Sequence, residues 1–467
     1  MKILILGGGP AGLGAAWRLN ELGNNDWHLL EANHHAGGLA SSFRDKNGFF
    51  WDIGGHVQFS HYEYFDRLMH DFIPPEQWLT HQRESWVWMR GRFVPYPFQN
   101  NIRRLPQEDL ARCLQGLVEL YKNGSGQPKN FEEWIYATFG RGIAEAFMLP
   151  YNFKVWAYPA KDLAYNWVGE RVAVADLARI LDNLVFEKDD LSWGPNNVFQ
   201  FPKHGGTGAI WNACAKRLPP DRLHFSAPVE HIDSNAHAVT TSDGHRWPYD
   251  ALISTIPLTE LLLLTRRPEL AGLGQSGLRH SSSNIIGLGL KGQPPEHLKT
   301  KCWMYFPEAD CPFYRVTVFS NYSPHNVPDS RKTWSLMTET SESANKPVRQ
   351  ETLLQDTIRG LINTKLLREA GEIVSTWSYR ARYGYPIPGL HRDETLAKVL
   401  PALEANQIYS RGRFGGWKYE VSNQDHSFMQ GLEIIERLLS DRPEITFPDP
   451  NHANSKKHPF PFERWQN

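Results

Sequence analysis

The stretch that most constrains this chain is residues 1–31. Lys2-Ile3-Leu4-Ile5-Leu6 is a short apolar run of the kind a buried parallel strand requires. It leads into Gly7-Gly8-Gly9-Pro10-Ala11-Gly12, a G-x-G-x-x-G turn, and the spacing predicts a helix from Ala11 to about Leu22 with Gly23 placed to stop it. A second apolar strand, Trp27-His28-Leu29-Leu30, ends in Glu31. In this arrangement Gly7 permits the tight turn, Gly9 lets backbone approach a pyrophosphate, and Gly12 allows close strand–helix packing. The helix N-terminus faces phosphate charge, and Glu31, 19 residues beyond Gly12, can take ribose hydroxyls. Strand, turn, helix and carboxylate together specify a dinucleotide site, whereas a ligand-free glycine turn leaves Glu31 unexplained.

At 467 residues the chain exceeds one ordinary core, so two or three domains are expected. Its 50 basic and 51 acidic residues point to no nucleic-acid or polyanion partner, so any basic site must be local. The 4 cysteines, Cys113, Cys214, Cys302 and Cys311, have neither metal-ligand spacing nor a disulfide pattern. No stretch has the length of a bilayer span, and the first apolar run lies inside the glycine fingerprint rather than in a signal sequence. A soluble protein of the cytoplasm, with no membrane partner, is expected. Its oligomeric state is left open, a homo-oligomer included.

Two further glycine pairs, Gly37-Gly38-Leu39 and Gly54-Gly55-His56, exceed what a plain nicotinamide domain needs. They suggest backbone passing close to an extended cofactor, FAD. Residues 84–100 read as a strand pair turning at Arg90-Gly91-Arg92, and Leu105 to about Leu191 as mostly helical. Gly205-Gly206-Thr207-Gly208 precedes a helix from Ala209 to Leu218, and a βαβ-type alternation to Leu252-Ile253-Ser254 returns the chain to its first domain. From Ser281 to about Ser341 short strands alternate with turns, residues 351–367 look helical, and 408–440 read as strand, Gly-rich turn and closing helix. The expected class is α/β. An FAD-binding Rossmann-like domain is drawn from 1–83, 203–280 and 405–445, with a helical-bundle domain inserted at 104–192. An antiparallel β-sheet substrate domain takes 84–103 and 281–404, and 446–467 form an irregular tail.

Nucleophile elbow, Walker loop and His-Glu-x-x-His are all absent. Asp425-His426-Ser427 are too close in sequence for a catalytic relay, and His56 and His61 have no further ligands in view, so no metal is expected. Arg171 follows a helical stretch, and Arg315 sits in the strand Phe313-Tyr314-Arg315-Val316-Thr317. An inward-facing arginine there needs an anion, which a diphosphate would supply.

Longer runs carry a resemblance. Gly54-Gly55-His56-Val57-Gln58-Phe59-Ser60-His61-Tyr62, Thr80-His81-Gln82-Arg83, Val94-Pro95-Tyr96-Pro97-Phe98-Gln99, Pro150-Tyr151-Asn152-Phe153-Lys154-Val155-Trp156, Gly169-Glu170-Arg171-Val172, Trp193-Gly194-Pro195-Asn196, Cys311-Pro312-Phe313-Tyr314-Arg315 and Asn423-Gln424-Asp425-His426-Ser427 all match one family. Along nearly its whole length the chain resembles the eukaryotic-type UDP-galactopyranose mutases. The resemblance implies interconversion of UDP-galactopyranose and UDP-galactofuranose without net redox change, with N5 of reduced FAD as nucleophile at the anomeric carbon.

It also implies roles by position. Uridine falls to Tyr96, Phe98, Gln99, Phe147, Asn152 and Trp156, and the diphosphate to Arg171 and Arg315 with Tyr305, Tyr385 and Tyr419. Asn196 and Tyr322 fall near the sugar. Arg171, Arg315 and His56 are the catalytic candidates, His56 as a group that tunes the flavin. Beyond the glycines and Glu31, FAD falls to Leu39, Gly55, Val229, Arg413, Gly415, Asn423, Gln424 and Ser427, and NADPH, the reductant, to Arg83, Ser85, Tyr96 and Arg413. Two alternatives stay open: a redox flavoenzyme of the amine-oxidase or protoporphyrinogen-oxidase superfamily, and a mutase of another nucleotide sugar. The loop after Tyr322 and the tail are shorter than in fungal members, which leaves lid behaviour and assembly open.

Overall fold

A computed structural model describes residues 1–124, 126–191 and 197–459. Its organising element is a five-stranded parallel sheet in the order Ile408–Ser410, Ala251–Ser254, Ile3–Leu6, Trp27–Leu30, Leu223–His224. Every residue of Ile3–Leu6 is buried, because both faces are covered. Ile3 and Ile5 pack with Leu13, Phe428 and Leu432 on one face, while Leu4 and Leu6 meet Leu252, Leu258 and Val399 on the other. The first helix, Pro10–Glu21, starts one residue before the expected Ala11 because proline suits a first turn. It crosses the closing helix, Gln424–Ser440, at glycines: a Cβ on Gly431 would lie 1.9 Å from the Ala11 carbonyl oxygen, and one on Gly14 2.2 Å from that of Phe428.

The segment after Gly208–Lys216 departs from a βαβ alternation. Val229–Asp233, Ala238–Thr241 and Arg246–Pro248 form a separate antiparallel sheet before Ala251–Ser254 joins the parallel one.

The second sheet has seven strands in the order Ile373–Ile387, Arg279–Lys291, Thr333–Glu342, Arg315–Thr317, Trp303–Tyr305, Ser85–Met89, Arg92–Pro95. It differs from expectation in two ways. Three of its strands are long, at 15, 13 and 10 residues, and the pair Trp303–Tyr305 with Ser85–Met89 is parallel. The helix Arg392–Glu404, which the sequence reading grouped with this sheet, packs Leu396, Val399 and Leu403 beside Leu252 and Ile408 of the parallel sheet.

Gln107–Asn123, Phe131–Ile143, a π-helical turn Ala144–Met148 and Leu149–Trp156 build the helical region. The π turn redirects the chain so that Phe147 and Tyr151 stack 5.2 Å apart on the inward face. The tail is not wholly irregular. Pro450–Ser455 is a short helix, and the His458 amide donates to the His61 carbonyl at 2.6 Å, tying the tail to the loop before the helix Glu63–Phe72. Among the described residues no helix is long and apolar enough to cross a membrane.

Candidate active site

A cavity of about 650 Å³ opens where the G-x-G-x-x-G turn ends. Gly7, Gly9, Glu31, Gly38, Leu39, Gly55, His56, Arg413, Asn423, Gln424 and Ser427 line it. Gly12 lies behind the wall, as a spacer should: a Cβ there would sit 1.9 Å from the Gly7 carbonyl oxygen. At Gly9 the same atom would meet nothing nearer than 3.8 Å, so the turn leaves room on its ligand side. Backbone amides aim the Glu31 carboxylate, with Gly8 donating at 2.6 Å and Asn33 at 2.8 Å.

The smaller cavity, about 190 Å³, adjoins it. Tyr96, Arg171, Tyr305, Arg315, Tyr385 and Tyr419 line both, so these six form the boundary. Helical spacing builds its far wall. Asn152 donates to the Met148 carbonyl at 2.8 Å, and the Trp156 indole N–H donates to Asn152 Oδ1 at 3.3 Å, each one turn along. Gln99, Phe147, Tyr151 and Trp167 complete an aromatic slot suited to a planar ring.

The boundary arginines are held differently. Arg171 donates through Nη2 to the Glu420 carbonyl at 2.8 Å and lies over the Tyr419 ring at 4.9 Å. Its Nε is buried and has no hydrogen-bond partner among the described residues. Arg413 donates to Ser422 Oγ at 2.8 Å and to the Gly384 carbonyl at 3.1 Å. Among the described residues neither has a carboxylate partner, and burial pulls the Arg413 pKa down, as expected of a cation awaiting an anion.

Arg315 already has one. Its Nε and Nη2 each donate at 2.7 Å to Glu339, which also accepts the Tyr314 hydroxyl at 2.7 Å and the Gly55 amide at 3.0 Å. Burial pushes the Glu339 carboxyl up, but the Arg315 charge and the donated hydrogen bonds hold it below the usual range. The sequence reading assigned the anion at Arg315 to a diphosphate and gave Glu339 no role. Strand register brings the two side by side, and an arginine inside an apolar strand was the signal for such an acid. Burial pulls the His56 pKa down to about 4, so its imidazole is neutral near pH 7.

Other sequence-selected residues lie off the cavity walls. Phe98 is fully buried and stacks on Phe147 at 4.5 Å, backing the slot. Tyr322 is fully buried behind Gly55, its hydroxyl 3.8 Å from where a Gly55 Cβ would be. Gly415 is a packing position, its would-be Cβ 2.2 Å from the Arg411 carbonyl oxygen. Val229 packs beside the core of the parallel sheet, and the Ser85 hydroxyl is buried away from both cavities. Asn196 lies outside the described residues. The fold also gives His61 neighbours that the sequence reading did not, since Asp425 and His426 stand beside it.

Comparison with known proteins follows the same lines. A family model of flavin containing amine oxidoreductases matches residues 10–361. Amine oxidase [flavin-containing] A of Sus scrofa is 24% identical over 326 residues, which span 66% of this chain but only 57% of that protein's length. A crystal structure of a reduced UDP-galactopyranose mutase is 50% identical with a TM-score of 0.95, covering 98% of each chain. A structure described as a protoporphyrinogen oxidase from an Exiguobacterium species, 16% identical with a TM-score of 0.72, covers 94% of this chain and 99% of its own and shares the fold alone.

Proposed function

We propose, from the premise that this chain belongs to the flavin containing amine oxidoreductases and within them to the UDP-galactopyranose mutase family, that it interconverts UDP-galactopyranose and UDP-galactofuranose. The observation that carries the reading is the 50% identity across 98% of both chains, joined to two cavities that meet at a pair of arginines.

FAD suits the larger cavity. The open ligand side of Gly9, the aimed Glu31 carboxylate and an Arg413 with no carboxylate partner among the described residues are features of a site built for a dinucleotide anion. Gly7, Gly9 and the first helix would hold its diphosphate, Glu31 its ribose, and Gly55, His56, Asn423, Gln424 and Ser427 its ring end. Bound and reduced, FAD supplies the nucleophile for the anomeric carbon.

This chain's own residues have four tasks. The aromatic slot binds uridine by stacking, worth about 1–3 kcal/mol for a base. Arg171 and Arg315 hold the UDP diphosphate, which must stay nearby after it leaves the sugar so that it can return. Tyr305, Tyr385 and Tyr419 offer hydroxyls on the same boundary. Glu339 keeps the Arg315 fork aimed and, through the Gly55 amide, ties it to the loop facing the flavin.

NADPH is the reductant in this reading, and Arg83, Tyr96 and Arg413 line the cavity it would share with substrate. We place the reaction in the cytoplasm, in keeping with four buried free cysteines.

Anaerobic incubation of the reduced protein with UDP-galactofuranose should yield UDP-galactopyranose on chromatography, with no reductant consumed per turnover. Stoichiometric oxygen uptake with an amine or porphyrinogen substrate, and no sugar interconversion, would support the redox alternative. Conversion of other UDP-hexoses at a higher rate would move the assignment to a different nucleotide sugar.

A further inference from the structure

One cluster of ligand-type side chains has no part in the reaction above. His61 ends the loop that presents Gly55, His56, Val57, Gln58 and Phe59 to the larger cavity, and Asp425 and His426 lie in the first turn of the closing helix. All three are buried, at 5%, 1% and 0% exposure. Asp425 Oδ2 lies 3.0 Å from His61 Nδ1 and accepts the His61 backbone amide at 3.0 Å. Asp425 Oδ1 lies 3.5 Å from His426 Nδ1, and the two imidazoles overlap with centroids 4.9 Å apart.

His426 carries the anomaly. Its ring is wholly buried, yet among the described residues neither nitrogen has a hydrogen-bond partner, and nor does Asp425 Oδ1, which faces it. A buried polar group is ordinarily matched, because desolvation is otherwise uncompensated. Phe59 packs its ring against His61 at 5.4 Å, Tyr62 sets its ring edge-on to His426 at 5.9 Å, and the Tyr62 hydroxyl is engaged by Thr446 at 2.7 Å.

We propose that His61, Asp425 and His426 form a binding site for one divalent transition cation of the zinc class. Two imidazoles and a carboxylate are the donor set such ions prefer. Bonds of about 2.0–2.1 Å in tetrahedral geometry place neighbouring ligand atoms roughly 3.3 Å apart. The Asp425 carboxylate lies at separations on either side of that value, 3.0 Å from Oδ2 to His61 Nδ1 and 3.5 Å from Oδ1 to His426 Nδ1, and one ligand atom from each residue falls within 4.8 Å of the others. The ion would rivet the His61 loop to the start of the closing helix. Both segments line the cofactor cavity, and Asp425, itself on that wall, offers the route in. Its role is structural, stabilising the folded chain and its grip on FAD. The inference does not depend on which sugar nucleotide the enzyme accepts.

The test begins with the FAD-loaded protein, analysed by inductively coupled plasma mass spectrometry as purified, after chelation, and after titration with Zn²⁺. One zinc per chain is expected, with a rise in melting temperature on re-addition and slower FAD release read from flavin fluorescence. X-ray absorption at the zinc edge should report two imidazoles and one carboxylate. His426→Ala should abolish stoichiometric zinc, and Asp425→Asn should do the same. If either variant fails to fold, chelation and re-addition on the unaltered protein decide the matter. Absence of stoichiometric zinc in every state overturns the proposal and leaves a metal-free His–Asp contact. So does zinc that persists undiminished in His426→Ala, as it would on the partly exposed pair His28 and His224.

Discussion

Glu339 grips Arg315 with both carboxylate oxygens, at 2.7 Å each, across directly paired strand positions. The carboxylate is 3% exposed and the guanidinium 23%, so this is a largely desolvated pair with one edge open to the cavities. Removing one partner of such a pair leaves an uncompensated charge. Glu339→Ala should therefore lose about 3 kcal/mol of stability, the lower end of the range for buried pairs because Arg315 keeps some solvent. Urea unfolding of the two proteins measures it, and a loss below about 1 kcal/mol would mean that the pair contributes little.

Arg315 itself should separate binding of the flavin from turnover. Arg315→Ala should cut kcat by roughly 10²–10³-fold, the usual effect of deleting one group that stabilises developing charge, while the purified protein stays yellow. Arg315→Lys should recover little, because an ammonium cannot engage both Glu339 oxygens and still reach a diphosphate. A colourless Arg315→Ala protein, or one with full activity, would place the residue elsewhere.

Two buried acids should give stability a particular pH dependence. Burial pushes Asp52, which Ser42 and Thr207 contact, up to about 7, and likewise Glu433, which accepts two amides and the Thr446 hydroxyl, up to about 7. Both rise above their unfolded values of 3.8 and 4.5. The folded chain therefore binds more protons than the unfolded one between those values and 7, and stability falls as pH rises through that window. Denaturant midpoints between pH 5 and 8, compared with those of Asp52→Asn and Glu433→Gln, read this directly. Each substitution should flatten the slope, and an unchanged slope would show that the carboxyls titrate normally.

The helix crossing should be intolerant of a single methyl group. Gly431→Ala puts a Cβ 1.9 Å from the Ala11 carbonyl oxygen, and the first helix must move to accept it. Overpacking of this kind costs about 1–3 kcal/mol. Because the displaced helix supplies the phosphate-facing N-terminus, FAD should dissociate more readily, which fluorescence of released flavin reports. A control at Gly272, where a Cβ meets nothing within 4 Å, should leave FAD retention unchanged.

Much of the nucleotide-binding end was legible before any folding. The strand Ile3–Leu6, the glycine turn, the helix behind it and Glu31 interact within thirty residues, so apolar periodicity and the steric demands of each glycine specify them locally. The arginines, tyrosines and pocket aromatics were recognisable as a set because their flanking runs match a family. Their depth was not. Phe98 and Tyr322 have the same chemistry as the rings on the cavity walls, yet they sit behind those walls, since burial depends on what packs above them.

The charge partners were the least visible. Arg315 and Glu339 are 24 positions apart and meet only through strand register, and His61 and Asp425 are 364 apart and meet only where the fold sets the closing helix beside the loop that ends at His61. The sequence by itself determined the local backbone geometry of a dinucleotide site and the inventory of groups that surround it. Tertiary structure alone decided which of those groups share a cavity and which charges pair. Steric rules act along a few neighbouring residues, whereas desolvation and Coulomb forces act on whatever the completed fold places side by side.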